Sequence, residues 1–260
     1  MTLSSSFTEE FLLNPVLKDN QTYRFKTTTI DFSNRKKGID KSCTRDVQIK
    51  FMGKIKDIFV FDVFIEKVTF SQNTAHERLL KKDIYAYRNV LMGTDEKGEI
   101  VKIYNLNQMQ NEWEETKKDL RKDHTGYEFE DFLNDNTVVL ANEEKTIYYL
   151  KTPAMYGLFF HGLFGKYDHT TIKRNQILLD FDSVEITEEI KINNKSSLLL
   201  ITAKKSDASN ANNNAVDAGI NQYEGIWMYK KENQLLEGNL KIESEKCNIN
   251  YNVLWVGSKI

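Results

Sequence analysis

Chemistry in this chain would have to begin with four histidines and a few oddly placed carboxylates. Asp180 and Asp182 flank Phe181 in the run Gln176-Ile-Leu-Leu-Asp-Phe-Asp182. On a strand, residues two apart project to one face, so this pair would present two carboxylates together, as some divalent-cation and glycosyl-transfer sites require. Ile177, Leu179 and Phe181 would then fill the opposite face, which equally describes the wet side of an amphipathic strand. His161 and His169, with Asp168 beside the second, straddle Gly165 at a spacing that matches no metal-ligand motif. Asp62 lies among Val60 and Phe64, where an unpaired carboxylate is costly. Its position predicts either a Lys or Arg partner on a neighbouring strand or a functional carboxylate.

Other chemistries lack their signatures. Neither GxxxxGK[ST] nor GxGxxG occurs, and the 12 glycines are scattered singly at turns, so no phosphate cradle is encoded. No GxSxG elbow or Cys-with-His signature is visible. Cys43 and Cys247 are far apart, form no CxxC motif and read as free thiols of a reducing compartment. The basic residues Arg35, Lys36, Lys37, Lys41 and Arg45 cluster before a strand, but without interleaved aromatics. They read as a solvated hairpin tip, and a net charge of -2 draws in neither nucleic acid nor an anionic surface. The expectation is a protein with no cofactor, no metal, no nucleic-acid partner and no catalytic role. The enzyme alternative is a site assembled from Asp62, Asp180, Asp182, His161 and His169.

The elements that would position these residues follow from pattern. Hydrophobic residues make up 40% and charged residues 28% of 260, ordinary values for a globular domain. Abundant Lys and Asn with only two prolines suggest an AT-rich bacterial genome. The start lacks a basic n-region and an apolar h-region, and no run reaches the roughly 18 apolar residues of a membrane span. A cytoplasmic location is expected, or the envelope if a signal was removed before this numbering.

Strand patterns dominate residues 23–104: Tyr23 to Phe32, Asp46 to Phe51, Ile55 to Phe70, Ile84 to Met92 and Glu99 to Tyr104. Residues 105–165 turn helical, with Leu106, Met109, Trp113 and Leu120 on one stripe. A second, short helix fits Tyr127 to Leu133, and a third starts at Asn142. Pro153 would open a fourth, Ala154 to Phe164, stopped by Gly165. Strands return over residues 172–256, including Gln176 to Asp182, Ser183 to Ile192, Ser197 to Ala203, Tyr223 to Lys230, Leu235 to Glu243 and Ile249 to Val256. The connections are turn-like, so antiparallel pairing is expected. The whole reads as one α+β domain over 1–260: a large curved antiparallel sheet of about ten strands with three or four central helices on one face. The Asn-rich stretch within 205–221 cannot bury enough apolar area to order itself and reads as a flexible loop.

Two signals rise above this background. In Ile55 to Phe70 both strand faces are largely apolar, so each needs cover from helices, sheet, ligand or partner. Pro153-Ala-Met-Tyr-Gly-Leu-Phe-Phe-His-Gly-Leu-Phe-Gly165 is apolar nearly all round, which places it in the core or against an apolar guest. Phe59, Phe61, Phe64, Met155, Tyr156, Phe159, Phe160 and Phe164 are the candidate binding surface or pocket residues.

A long meandering sheet interrupted midway by helices such as Asn105 to Lys122 and Pro153 to Gly165 resembles the half-barrel carriers and lipoproteins of Gram-negative bacteria. The closing runs Leu235-Leu-Glu-Gly-Asn-Leu-Lys-Ile-Glu243 and Ile249 to Trp255 are similar to those of their Bacteroidetes relatives. The resemblance implies a hydrophobic cavity for an acyl chain or an apolar segment. The expected function is a binding protein that contacts another protein through its sheet face or edge. The alternative is a carrier of an apolar small molecule or acyl chain in a sheet–helix cavity.

Overall fold

The computed structural model describes residues 11–14, 20–32, 38–72, 74–167, 171–195, 198–206, 219–230 and 233–259. Strands β2 (Asn20–Asp31), β3 (Ile39–Ile55), β4 (Ile58–Phe70), β5 (Asn89–Thr94) and β6 (Ile100–Ile103) follow the short β1 (Phe11–Leu13). After the helices and the short β7 (Gly165–Tyr167) come β8 (Thr171–Leu178), β9 (Val184–Lys195), β10 (Leu198–Lys205), β11 (Ile220–Lys230), β12 (Leu235–Ser244) and β13 (Cys247–Lys259). Eleven of these form one antiparallel sheet ordered β6-β5-β4-β3-β2-β13-β12-β11-β10-β9-β8, while β1 pairs with β7. Two meanders are thus zipped together at β2 and β13, where Tyr23 faces Trp255 and Phe25 faces Val253. The chain leaves this sheet at one edge and re-enters at the other, so residues 104–167 carry it across. The expected meander with a midway helical interruption is present.

Alternation decides the inner face. Tyr23 and Phe25, Val47 and Ile49, Tyr223 and Trp227, and Tyr251 and Val253 are all buried, while Arg24, Gln48, Glu224, Ile226 and Asn252 between them keep contact with water, as a one-sided antiparallel sheet requires. Each such burial contributes about 1.5–3 kcal/mol. The double-sided apolar character of β4 has a local cause. The register jumps from Asp46↔Lys67 to Val47↔Ile65, so Glu66 is an extra residue in a β-bulge, and beyond it the faces exchange. Val68 therefore joins Phe61, Val63 and Ile65 in the core. Asp62 stands on the outer face, half-buried and across from Lys50.

The helices are α1 (Ala75–Tyr85), α2 (Leu106–Asp123), α3 (Tyr127–Leu140) and α4 (Glu143–Leu150). Helix α1 corrects the strand expected over Ile84 to Met92, which begins only at Asn89. A capping box starts it: Glu77 N donates to Thr74 Oγ1 at 3.2 Å, and Thr74 N to Glu77 Oε2 at 3.0 Å. Helix α3 runs a full turn and more beyond the short helix expected over Tyr127 to Leu133. Asn142 caps α4 as expected, accepting from Lys145 N at 3.0 Å. Met109, Trp113, Leu133, Leu140 and Leu150 from these helices belong to one continuous core with the sheet. Among the described residues, no helix is long and apolar enough to cross a membrane. Of the Asn-rich loop, residues 207–218 lie outside the described residues, as do Asp168, His169, Arg35, Lys36 and Lys37.

Candidate functional site

The expected fourth helix is absent: residues 153–160 form successive turns and bends. Met155 N bonds Thr152 O at 2.9 Å, Gly157 N bonds Thr152 O at 3.0 Å and Tyr156 N reaches back to Leu150 O at 3.1 Å. The physical reasons lie at the glycines. A Cβ on Gly157 would sit 2.1 Å from the Lys151 carbonyl oxygen, and Gly162 has φ 73°, backbone that L side chains rarely adopt.

A crossing segment with few helical bonds, Phe160 N to Tyr156 O at 2.9 Å among them, leaves carbonyls that must be satisfied in the core. Three side chains of the sheet do this. Arg45, buried rather than part of a hairpin tip, donates to Ala154 O, to Met155 O at 3.0 Å and to Met155 Sδ at 3.0 Å. Its guanidinium also lies over Phe25 and Tyr156, at 5.5 and 5.9 Å from the ring centroids. Trp227 Nε1 donates to Leu158 O at 2.9 Å, and Arg174 Nη1 donates to His161 O at 2.6 Å. Gly225 and Gly238 leave room for Trp227: a Cβ on either would come within 2.6 or 2.8 Å of its ring.

Between this pinned segment and strand β8 opens a cleft of about 450 Å³, floored by Trp227, Leu240, Ile242, Leu178 and Phe181. Its polar wall is self-contained. Glu188, with 0% exposure, accepts from Arg174 Nε at 2.6 Å and from Tyr223 Oη at 2.8 Å. Asp180 accepts from the Tyr251 hydroxyl, and Lys151 pairs with Glu99 at 2.8 Å. Desolvation, reinforced by the neighbouring carboxylates, pushes the Tyr223 and Tyr251 hydroxyls far above their ordinary range.

His161 lines the cleft but is chemically quiet. Its Nδ1 accepts from Leu163 N at 3.1 Å, so the proton sits on Nε2, which bonds the Tyr229 hydroxyl. Burial, with the Arg174 charge second, lowers its pKa to about 3, which keeps the ring neutral.

The carboxylate pair is not the strand motif expected from its spacing. Leu179–Phe181 is a turn of 3₁₀ helix and Asp182 has φ 54°, which separates the two side chains. Asp180 reaches Tyr251 while Asp182 pairs with Lys246 at 3.3 Å. Among the described residues, no cluster of three His, Cys, Asp or Glu side chains could hold a metal ion. Of the candidate aromatic residues, Phe160 lines the cleft. Phe61, Met155, Tyr156, Phe159 and Phe164 are core. Phe59 is half-buried beneath Lys54, and Phe64 lies on the outer face under Arg88.

The residues that shape the cleft most, Arg174, Glu188, Tyr223 and Trp227, escaped the motif search. One signal marks the first two: each occupies an inward position on its strand, Arg174 two residues after Ile172 and Glu188 between Ile186 and Ile190.

No protein-family model matches this chain, and neither does any curated protein. One solved structure, described as lipid-protein interactions in lipovitellin, aligns over 93% of this chain and 25% of that chain, with 10% identity and a TM-score of 0.47. The chain thus spans about a quarter of the solved one.

Proposed function

We propose that this chain is a binding protein without a catalytic step, and that the cleft between the 151–161 segment and β8 holds an apolar guest. The observation that carries the reading is an apolar floor beneath a polar wall whose groups already satisfy one another. Ligand sites of about 300–1,000 Å³ are mostly apolar with few polar contacts, and this cleft of about 450 Å³ fits that description. Its charges are paired, Arg174 with Glu188 and Lys151 with Glu99, so a charged guest finds no unanswered partner in them. An acyl chain or a flat apolar ring fits the floor.

The test is fluorescence titration with cis-parinaric acid, on the wild type and on Leu240→Trp, which fills the floor. Saturable binding that weakens at least about 10-fold in the variant, a loss of 1.4 kcal/mol or more, is expected, with a cooperative unfolding transition retained. Binding indifferent to Leu240→Trp would place the guest elsewhere. The companion reading, contact with another protein, draws its support from edge strand β8, whose outer backbone meets no hydrogen-bond partner among the described residues.

A further inference from the structure

The two edges of the eleven-stranded sheet are finished differently. At one edge β6 has only 4 residues, and helix α4 seals it: the Ile103 N–H donates to Glu143 Oε1 at 2.9 Å. At the other edge β8 runs for 8 residues in unbroken register with β9, from Thr171↔Lys191 to Leu178↔Val184. On its far side the backbone of β8 meets no hydrogen-bond partner among the described residues. Alternate N–H and C=O groups along about 26 Å of strand, at 3.3 Å per residue, are therefore open to another main chain.

The side chains of β8 state what kind of chain this is. Arg174 is occupied by Glu188 and the His161 carbonyl. Lys173 is exposed, and its ammonium has no ion-pair partner among the described residues. Ile177, on the same outer face, is 53% exposed. Thr171–Leu178 contains no acidic residue, and Glu189, which faces Lys173 across the ladder, pairs with Lys191 at 3.1 Å, so two lysines share one carboxylate and this stretch keeps a net positive charge. A lysine on a free edge opposes pairing with a second copy that brings the same charge, but it complements an acidic partner.

We propose that β8 is a docking strand, which takes an extended peptide segment as a twelfth strand. The segment carries a carboxylate opposite Lys173 and an apolar side chain opposite Ile177. Main-chain bonds supply affinity and the alternate side chains supply selection. This contact goes beyond the guest of the cleft; it adjoins that site, since Arg174 to Leu178 also line the cleft, but it does not require a guest.

Two fluorescein-labelled peptides of valine and threonine, each matching β8 in length, test it by anisotropy. One carries a glutamate and the other a lysine at the position facing Lys173. The glutamate peptide should bind about 2- to 5-fold tighter, since an opposite-charge cross-strand pair contributes up to about 1 kcal/mol. Lys173→Glu should reverse the preference. N-methylation on one set of alternate residues should abolish binding to the wild type, and methylation on the other set should leave it intact, because a strand addresses its neighbour through every second residue. Loss of binding with both sets, or with neither, would overturn strand addition, as would no binding at all. A concentration-dependent dimer that the glutamate peptide fails to dissociate would give the edge to a second copy and overturn the proposal. Displacement of bound parinaric acid is read separately, so failure at the edge and failure in the cleft remain distinct.

Discussion

Glu188 is the residue on which the cleft wall turns, and its removal has a calculable signature. Breaking a buried ion pair by deleting one partner costs about 3–5 kcal/mol, and where within that range depends on what is left behind. Glu188→Gln leaves Arg174, whose side chain is 23% exposed and still bonded to the His161 carbonyl. It also leaves Tyr223 an acceptor at the same place. The cost should be near the bottom of the range, about 3 kcal/mol. Arg174→Met instead strands a carboxylate with 0% side-chain exposure, retaining only the Tyr223 bond, and should cost about 4–5 kcal/mol. The double variant removes both charges and should be less damaged than Arg174→Met alone. Urea unfolding at pH 7, followed by tryptophan fluorescence, measures all three. Equal single costs, a single cost below about 1 kcal/mol, or a double cost equal to the sum would refute a sealed pair. Glu188→Gln should also turn the wall cationic and tighten parinaric acid, whose carboxylate then has a partner.

Three further outcomes follow from the same coordinates. Asp83, in the last turn of α1 where the helix dipole disfavours an anion, is raised by burial from 3.8 to about 7. The folded state therefore holds its proton longer than the unfolded one, and stability is lost as pH rises from 3.8 to about 7. Asp83→Asn should stabilise the protein at pH 8 by about 1–3 kcal/mol and leave it unchanged below pH 3.8, as urea midpoints at the two pH values would show. His161 has the opposite sign: its pKa falls from 6.5 to about 3, so stability declines as pH drops below 6.5. In the Asp83→Asn background the slope should reach at most about 1.4 kcal/mol per pH unit, and His161→Gln should flatten it. Gly157→Ala, which drives a methyl against the Lys151 carbonyl, should lower stability by about 1–3 kcal/mol, read as a fall in the urea midpoint.

Much of the architecture was legible because local pattern and tertiary position agree. The alternation of Ile249, Tyr251, Val253 and Trp255 against Asn248, Asn250 and Asn252 located β13, and Asn142 marked the start of α4. Helix α1 was legible in principle, since Thr74-Ala-His-Glu77 is a capping-box sequence, but its apolar residues are few. The crossing segment misled for a physical reason. Its apolar residues face the core on every side, and Gly157 and Gly162 serve turns that only the neighbouring Lys151 carbonyl and the φ of 73° reveal. The β4 bulge likewise hid in a run that reads as a single regular strand. The cleft was least legible. Arg174, Glu188, Tyr223 and Trp227 lie on three strands and meet only through strand order, so no spacing connects them, and the inward register of a lone Arg or Glu was the available sign.

The claim at the centre of this account is that the cleft carries an apolar guest, and native mass spectrometry of untagged protein gently isolated from its own cells tests it most directly. The account requires a retained mass on the order of a few hundred daltons, as a guest of this volume would have, and its loss in Leu240→Trp isolated in the same way. A bare chain in both preparations, with parinaric acid failing to bind either, would contradict it.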